Sequence, residues 1–309
     1  MTAILDTMTK PRPERRWLLG EILGLSSFSI LSAPPKAGKS TLARNLAFSV
    51  ASGKDFLGYP VTQGPVFYLH MEGSLDETAD SFNRMGYTAQ MEPIYTFSEN
   101  IPDEALLKLE ISVSDLKPVL ILIDTIIKWT RSADVNDYSQ MAAHLAPIEA
   151  LARRHPVHIM GIHHAGKGGD RPAQERVLGS TSIAGGVDIL LHLELRNEIR
   201  TLFSGDPRFG QKMPERVICL DENECAYSSG SRQEAEVRRM EEQIVLELLD
   251  NPDGLNRRTI TDYIEGEYRN ISKSLKNLKK NKRIHQTGKG VAGNPFVYHA
   301  GPPPSNEKD

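Results

Sequence analysis

One segment constrains this chain more than any other. Phe28-Ser-Ile-Leu-Ser-Ala-Pro-Pro-Lys-Ala-Gly-Lys-Ser-Thr41 carries an apolar strand into a tight loop ending Gly38-Lys39-Ser40, and a helix-forming stretch follows to about Ser52. In such a loop the backbone N–H groups and the helix N-terminus converge on phosphate oxygens. The lysine reaches the outer phosphates and the serine hydroxyl ligates Mg²⁺. Pro35, Lys36, Ala37, Gly38, Lys39, Ser40 and Thr41 are therefore the predicted phosphate cradle, with Ser40 as a metal ligand. Ala33 stands where the pattern G-x-x-x-x-G-K-[ST] has its first glycine, so the literal pattern fails at one position while its strand–loop–helix context is intact.

Further apolar runs recur at Val66–His70, Val119–Asp124, His158–His163, Ile189–Glu194 and Val217–Asp221, with helical patterns at about 40–52, 75–85, 103–115 and 138–154. Strands apolar on both faces, alternating with helices, predict an α/β domain over residues 17–229 with a mainly parallel sheet covered on both sides. Asp124 ends its strand at the edge where the phosphate loop begins, which suits a carboxylate holding Mg²⁺ or its water. Glu72 follows the Val66–His70 strand at the same edge, where it can orient and polarise an attacking water. His163 and His164 close the next strand, within reach of a terminal phosphate.

Beyond this domain the composition shifts. The 309 residues carry a net charge of −3, yet residues 254–300 hold ten Lys/Arg against three Asp/Glu, a local +7 that leaves −10 for the rest. A basic module on an acidic body points to nucleic acid. Residues 230–300 read as a winged helix: helices at Glu234–Leu249, Arg258–Ile264 and Asn270–Asn281, then a two-stranded wing, Arg283–Thr287 returning as Pro295–His299. Ile271, Leu275 and Leu278 form the third helix's apolar stripe, while Lys273, Lys276, Lys279 and Lys280 occupy its other faces. With Arg283 and Lys289 these lysines are the predicted duplex contacts. Residues 1–16 are expected to form a loose arm and 301–309 a disordered tail. Two cysteines, Cys219 and Cys225, exclude a disulfide framework, and the longest apolar run is too short for a membrane span. A cytoplasmic protein is expected.

The phosphate loop, Glu72, Asp124 and the histidine pair together resemble the RecA-like ATPases, and among them the RepA-type hexameric replicative helicases of plasmids and phages. The resemblance covers roughly residues 17–225. It rests on Ala33-Pro-Pro-Lys-Ala-Gly-Lys-Ser40, on Tyr68, Leu69 and Glu72, on Ile123-Asp124-Thr125, on His163, His164, Ala165 and Lys167, and on Gly179-Ser180-Thr181. It implies that Lys39 and Ser40 bind ATP and Mg²⁺, that Glu72 is the catalytic base, and that His163 or His164 senses the γ-phosphate. Lys128, Arg131, Lys167, Arg171 and Arg176 would lie on pore-facing loops that touch single-stranded DNA. At the place of the family's arginine finger, which acts on the neighbouring subunit's site, this chain has Asp188; Arg196, Arg200 and Arg208 lie further on, with Arg208 the first choice. The resemblance thus implies a ring-forming motor, a homo-hexamer or other ring, with a replication initiator or primase as a possible partner. An ATP-gated DNA-binding regulator with slow turnover is the alternative. A small-molecule kinase leaves the basic tail unexplained.

Overall fold

Six parallel strands form the middle of the first unit. The structure, a computed structural model, describes residues 14–97, 101, 103–130, 138–164 and 186–303. They fall into two compact units that part between Ser228 and Ser229. The first opens with a short ribbon, β1 (Trp17–Leu19) and β2 (Leu23–Gly24). Its main sheet comprises β3 (Ser27–Ala33), β4 (Val66–His70), β5 (Ile94–Phe97), β6 (Leu120–Asp124), β7 (His158–His164), β8 (Ile189–Arg196), β9 (Ile199–Ser204), β10 (Arg216–Leu220) and β11 (Ala226–Ser228). The spatial order is β11-β10-β9-β8-β3-β7-β6-β4-β5. From β8 to β5 all neighbours are parallel, and from β8 outward to β11 they are antiparallel. The expected α/β architecture with a mainly parallel sheet is therefore present, extended by an antiparallel meander on one side.

The sequence builds this sheet because its central strands are apolar on both faces. Leu31, Met160, Ile162 and Leu191 face one side, against Leu42, Ala43, Leu46, Ala47 and Val50, five residues of α1 (Lys39–Ser52). On the same side lies α2 (Leu75–Arg84), which contributes Phe82. Phe28, Ile30, Ile121, Ile123 and Ile159 face the other side. There they meet Leu109 and Val113 of α3 (Ala105–Leu116) and Leu145, Ile148 and Leu151 of α5 (Tyr138–Arg154). The short α4 (Ile126–Thr130) continues directly from β6. Strand residues alternate between the two cores with period two, so one ladder supplies both.

The second unit contains α6 (Arg232–Asp250), α7 (Arg257–Tyr263) and α8 (Tyr268–Lys280), with a sheet of β12 (Leu255–Asn256), β13 (Ile284–Thr287) and β14 (Val297–Ala300) in the antiparallel order β12-β14-β13. The sequence pattern indicates two strands here; Leu255–Asn256 adds a third. Helix α6 starts two residues earlier than its pattern indicates, because Ser231 and Glu234 form a reciprocal capping box. Met240, Ile244, Leu248, Ile260, Ile271, Leu275, Leu278 and Tyr298 build its core. Three polar ties fix α8 to α6: Ser274 Oγ donates to the Val237 carbonyl at 3.1 Å, Asn270 Nδ2 to Glu236 Oε2 at 3.1 Å, and Asn277 Nδ2 to Glu241 Oε1 at 2.8 Å. Between β13 and β14, Gly288 has φ 83°, and a Cβ there would meet the Pro295 carbonyl oxygen at 2.1 Å.

Close packing also explains Gly161 in the middle of β7. A Cβ there would lie 2.7 Å from Ile30 Cδ1 and 3.1 Å from Ile126 Cβ. The second neighbour is fixed to its backbone and cannot swing away. Gly161→Ala should destabilise the fold by about 1–3 kcal/mol through overpacking, measured as a lower urea midpoint at an unchanged slope. An unaltered midpoint would show that α4 shifts freely.

Candidate nucleotide-binding site

The loop between β3 and α1 is shaped to receive an anion. Lys36 and Gly38 both have left-handed backbone, φ 62° and 96°, which curls the chain tightly enough for Ala37 N–H to donate to the Pro34 carbonyl at 3.3 Å. Helix α1 begins at Lys39 with no side-chain cap and no acidic residue in its first turn. By contrast, α2 is capped by Ser74 and carries Asp76 and Glu77 at its start. A helix N-terminus left without carboxylates keeps its partial positive charge available for a ligand. Lys39 is 5% exposed, and its ammonium donates to the Pro34 carbonyl at 3.0 Å. Burial holds its pKa below the ordinary lysine value, and the carboxylates of Asp124 and Glu72 oppose that shift. A bound triphosphate would supply the compensating charge at this point.

Parallel register brings the other groups to the same edge. Ala33 pairs with His164, and His70 with Asp124. Asp124 is 3% exposed, and Tyr68 Oη donates to its Oδ2 at 3.1 Å. Burial and the neighbouring carboxylate both push the Tyr68 phenol far above its ordinary range, so it stays a donor. The Asp124–Thr125 peptide is cis. Glu72, just past β4, has its Oε1 3.3 Å from Lys128 Nζ and its Oε2 3.7 Å from His164 Nε2. Lys128 also donates to the Met71 carbonyl at 3.1 Å. The structure thus places Lys39, Glu72, Asp124, His163 and His164 at one sheet edge, with Ser40 and Thr41 in the first turn of α1.

Other predicted residues are placed differently. Lys128 is engaged with Glu72 rather than standing apart on a loop. Arg131, Lys167, Arg171 and Arg176, with Ala165 and the Gly179–Thr181 run, lie outside the described residues. Arg208 sits at the opposite edge of the sheet, where its main-chain N–H donates to the Asp188 carbonyl at 2.8 Å and its guanidinium approaches Glu149 at 3.5 Å and Asp188 at 3.9 Å. Asp188 itself is buried, accepting from Phe28 N–H at 3.0 Å and pairing with Arg153. In the second unit Lys273, Lys276, Lys279, Lys280, Arg283 and Lys289 all reach solvent, and Lys279 donates to Gln286 Oε1.

Three side chains at the nucleotide edge make contacts that the sequence does not assign to them. Tyr68, which the sequence offers only as a family match, holds Asp124. Arg44 donates to Ser81 Oγ at 3.0 Å and adds positive charge beside Tyr68 and His70; its place four residues after Ser40, one turn along the same helix face, is the available signal. Arg200 Nε donates to the Ala37 carbonyl at 3.0 Å, and this contact depends on strand register that no local pattern reports.

These elements define a P-loop ATPase domain of RecA-like fold. Residues 2–170, over half of the chain, match the AAA domain family, and the chain belongs to it. Among solved structures, the KaiC-like protein of the hyperthermophilic archaeon Pyrococcus horikoshii OT3 superposes with a TM-score of 0.53 at 12% identity, over 70% of this chain and all of that one. The RadB recombinase gives 0.47 at 14% identity, over 67% of this chain and 92% of that one. At such identities the first likeness bears on the fold alone. No curated protein sequence matches the chain. Among the described residues no helix is long and apolar enough to cross a membrane, and no group of three or more His, Cys, Asp or Glu forms a metal cluster. Mg²⁺ in this setting fits Ser40 and Asp124 together with phosphate oxygens rather than an all-protein cage.

Burial lowers His163 to about pKa 4, helped by the nearby His164 and Lys39, and it lowers His158 and His192 to about 4 as well. Their rings stay neutral in the folded protein, while unfolded histidines take up a proton near pH 6.5. Their contribution to stability is complete above that pH and is lost as pH falls from about 6.5 toward 4. His163→Gln should remove one proton from this linkage, flattening the fall by about 1.4 kcal/mol per pH unit. Urea unfolding at several pH values measures the slope; an unchanged slope would mean that His163 is charged in the native state.

Proposed function

We propose that this chain is an ATP-driven DNA motor of the RepA type, forming a ring and hydrolysing ATP where subunits meet, in the replication of a plasmid, phage or other mobile element. The observation that carries this reading is the convergence of Lys39, Asp124, Glu72 and the His163–His164 pair on one sheet edge, in a chain that also bears a separate, lysine-rich unit. Lys39 and the bare start of α1 hold the phosphates. Ser40 and Asp124 would hold Mg²⁺, which would supply positive charge against the phosphates. Glu72 accepts a proton from the attacking water, and its contact with Lys128 orients that carboxylate. His163 or His164 would sense the γ-phosphate, a reading supported by the 3.7 Å approach of His164 Nε2 to Glu72 Oε2.

The second unit fits a winged helix. Its α8 carries Lys273, Lys276, Lys279 and Lys280 on the faces turned from its core, as a helix presented to duplex phosphates would. Initiator or primase partners belong to the same reading. An ATP-gated regulator, in which the basic unit binds a DNA site and nucleotide sets the oligomer state, is the second reading.

ATP hydrolysis measured without DNA, with single strands and with duplex separates the two. The motor predicts strong stimulation by single strands and loss of turnover in Lys39→Ala and Glu72→Gln; a slow rate indifferent to single strands sinks it in favour of the regulator. Replacing Lys273, Lys276 and Lys280 by Ala should weaken duplex binding and lower the salt slope by about one for each phosphate no longer neutralised. Unchanged affinity and slope would remove α8 from the DNA interface.

A further inference from the structure

Arg200 is one of three arginines that sequence distance makes available to a neighbour's site, but it lies against its own phosphate loop. Its Nε donates to the Ala37 carbonyl at 3.0 Å and would sit 3.4 Å from a Cβ on Gly38, the residue whose positive φ turns the loop into α1. The contact spans the sheet: Arg200 belongs to β9, and the loop follows β3.

The backbone leaves Arg200 little choice. Strands β8 and β9 are joined by Asn197 and Glu198, both at positive φ, 49° and 64°. Such a two-residue turn fixes the register of the hairpin, here Leu195 opposite Arg200 and Arg196 opposite Ile199. With side chains alternating along β9, Arg200 shares a face with Leu202, which is packed in the core formed with α1. The guanidinium is thereby carried to the side of the sheet where the loop lies.

We propose that Arg200 is a positioning residue for its own subunit's phosphate loop, setting nucleotide affinity rather than acting as a finger in trans. The carbonyl it binds and the Gly38 N–H belong to one peptide unit. A cation on that oxygen polarises the peptide and makes the N–H a stronger donor to phosphate. The same charge beside the loop favours an anion in it. The inference rests on the loop's reading as a nucleotide site and adds a residue to it.

The two roles leave different kinetic signatures. A finger supplies about 10³–10⁵ in turnover, whereas loss of one charge-assisted hydrogen bond to the loop costs about tenfold in binding. For Arg200→Ala, calorimetric titration of the full chain with ADP and with a non-hydrolysable ATP analogue should show about tenfold weaker binding of both. KM for ATP should rise in parallel while kcat falls by less than about threefold, and Arg200→Lys should recover part of the affinity by restoring charge and a donor. Mixing settles the subunit. Combining Arg200→Ala with Lys39→Ala chains restores composite sites if Arg200 acts on a neighbour, and gains nothing if it acts on its own loop. A kcat loss of about 10³ with unchanged binding, or recovered activity in the mixture, would overturn the proposal. Unsubstituted chain that binds neither nucleotide would instead overturn the reading of the loop itself, before any variant is made. Thermal melting of both variants keeps a folding defect from imitating a binding one.

Discussion

The parallel register of β3, β7, β6 and β4 is the constraint on which the rest of this site depends. Ala33, His164, Asp124 and His70 belong to four strands far apart in sequence, and only the hydrogen-bonded ladder aligns their ends. Because side chains alternate with period two, a slip of one residue in any pair would turn a whole strand's apolar set out of its core. The two cores therefore specify the alignment of the polar ends. The hydrophobic side chains hold the site in place without taking part in its chemistry.

Within that frame, charge and burial work against each other. Lys39 and Asp124 are both nearly inaccessible, and a buried charge without partners is costly. Each has a local answer: the Pro34 carbonyl for Lys39, the Tyr68 hydroxyl for Asp124. Neither hydrogen-bond partner carries a full charge; the opposite charge felt by Lys39 comes from the carboxylates of Asp124 and Glu72. The neutral His163 ring beside Lys39 adds no further cation at ordinary pH. A site so poised responds strongly to an arriving polyanion, because ligand charge meets groups already stripped of water.

The sequence made the parallel half of the sheet legible, for strands such as Leu120–Asp124 are apolar on both faces and have no other comfortable environment. The shorter pieces were not legible. Ile94–Phe97 has only one strand neighbour and exposes Tyr95, so its pattern is mixed. Residues 255–256 form two ladder positions and leave no periodicity to detect. Lys39, Ser40, Glu72 and Asp124 announced themselves because each follows or begins an element of distinct pattern. Lys128 read as a loop cation because its partner, Glu72, follows β4, far away in sequence, and nothing in the local sequence relates the two.

Arg208 and Arg200 show the same limit from the other direction. Both follow β8 by a short interval, and by sequence distance either suits a role at a neighbouring subunit's nucleotide. Strand β8 runs toward the phosphate edge and β9 runs back, so a few residues of hairpin separate opposite ends of the sheet. Arg200, just past the turn, stays at the nucleotide edge, whereas Arg208, beyond the end of β9, is carried to the edge where Asp188 and Phe28 lie. The turn also decides the face. One residue more or fewer between Arg196 and Ile199 would reverse the alternation along β9 and point Arg200 away from Ala37. Placement of that guanidinium is thus a consequence of two left-handed residues, Asn197 and Glu198, rather than of anything in the phosphate loop it serves.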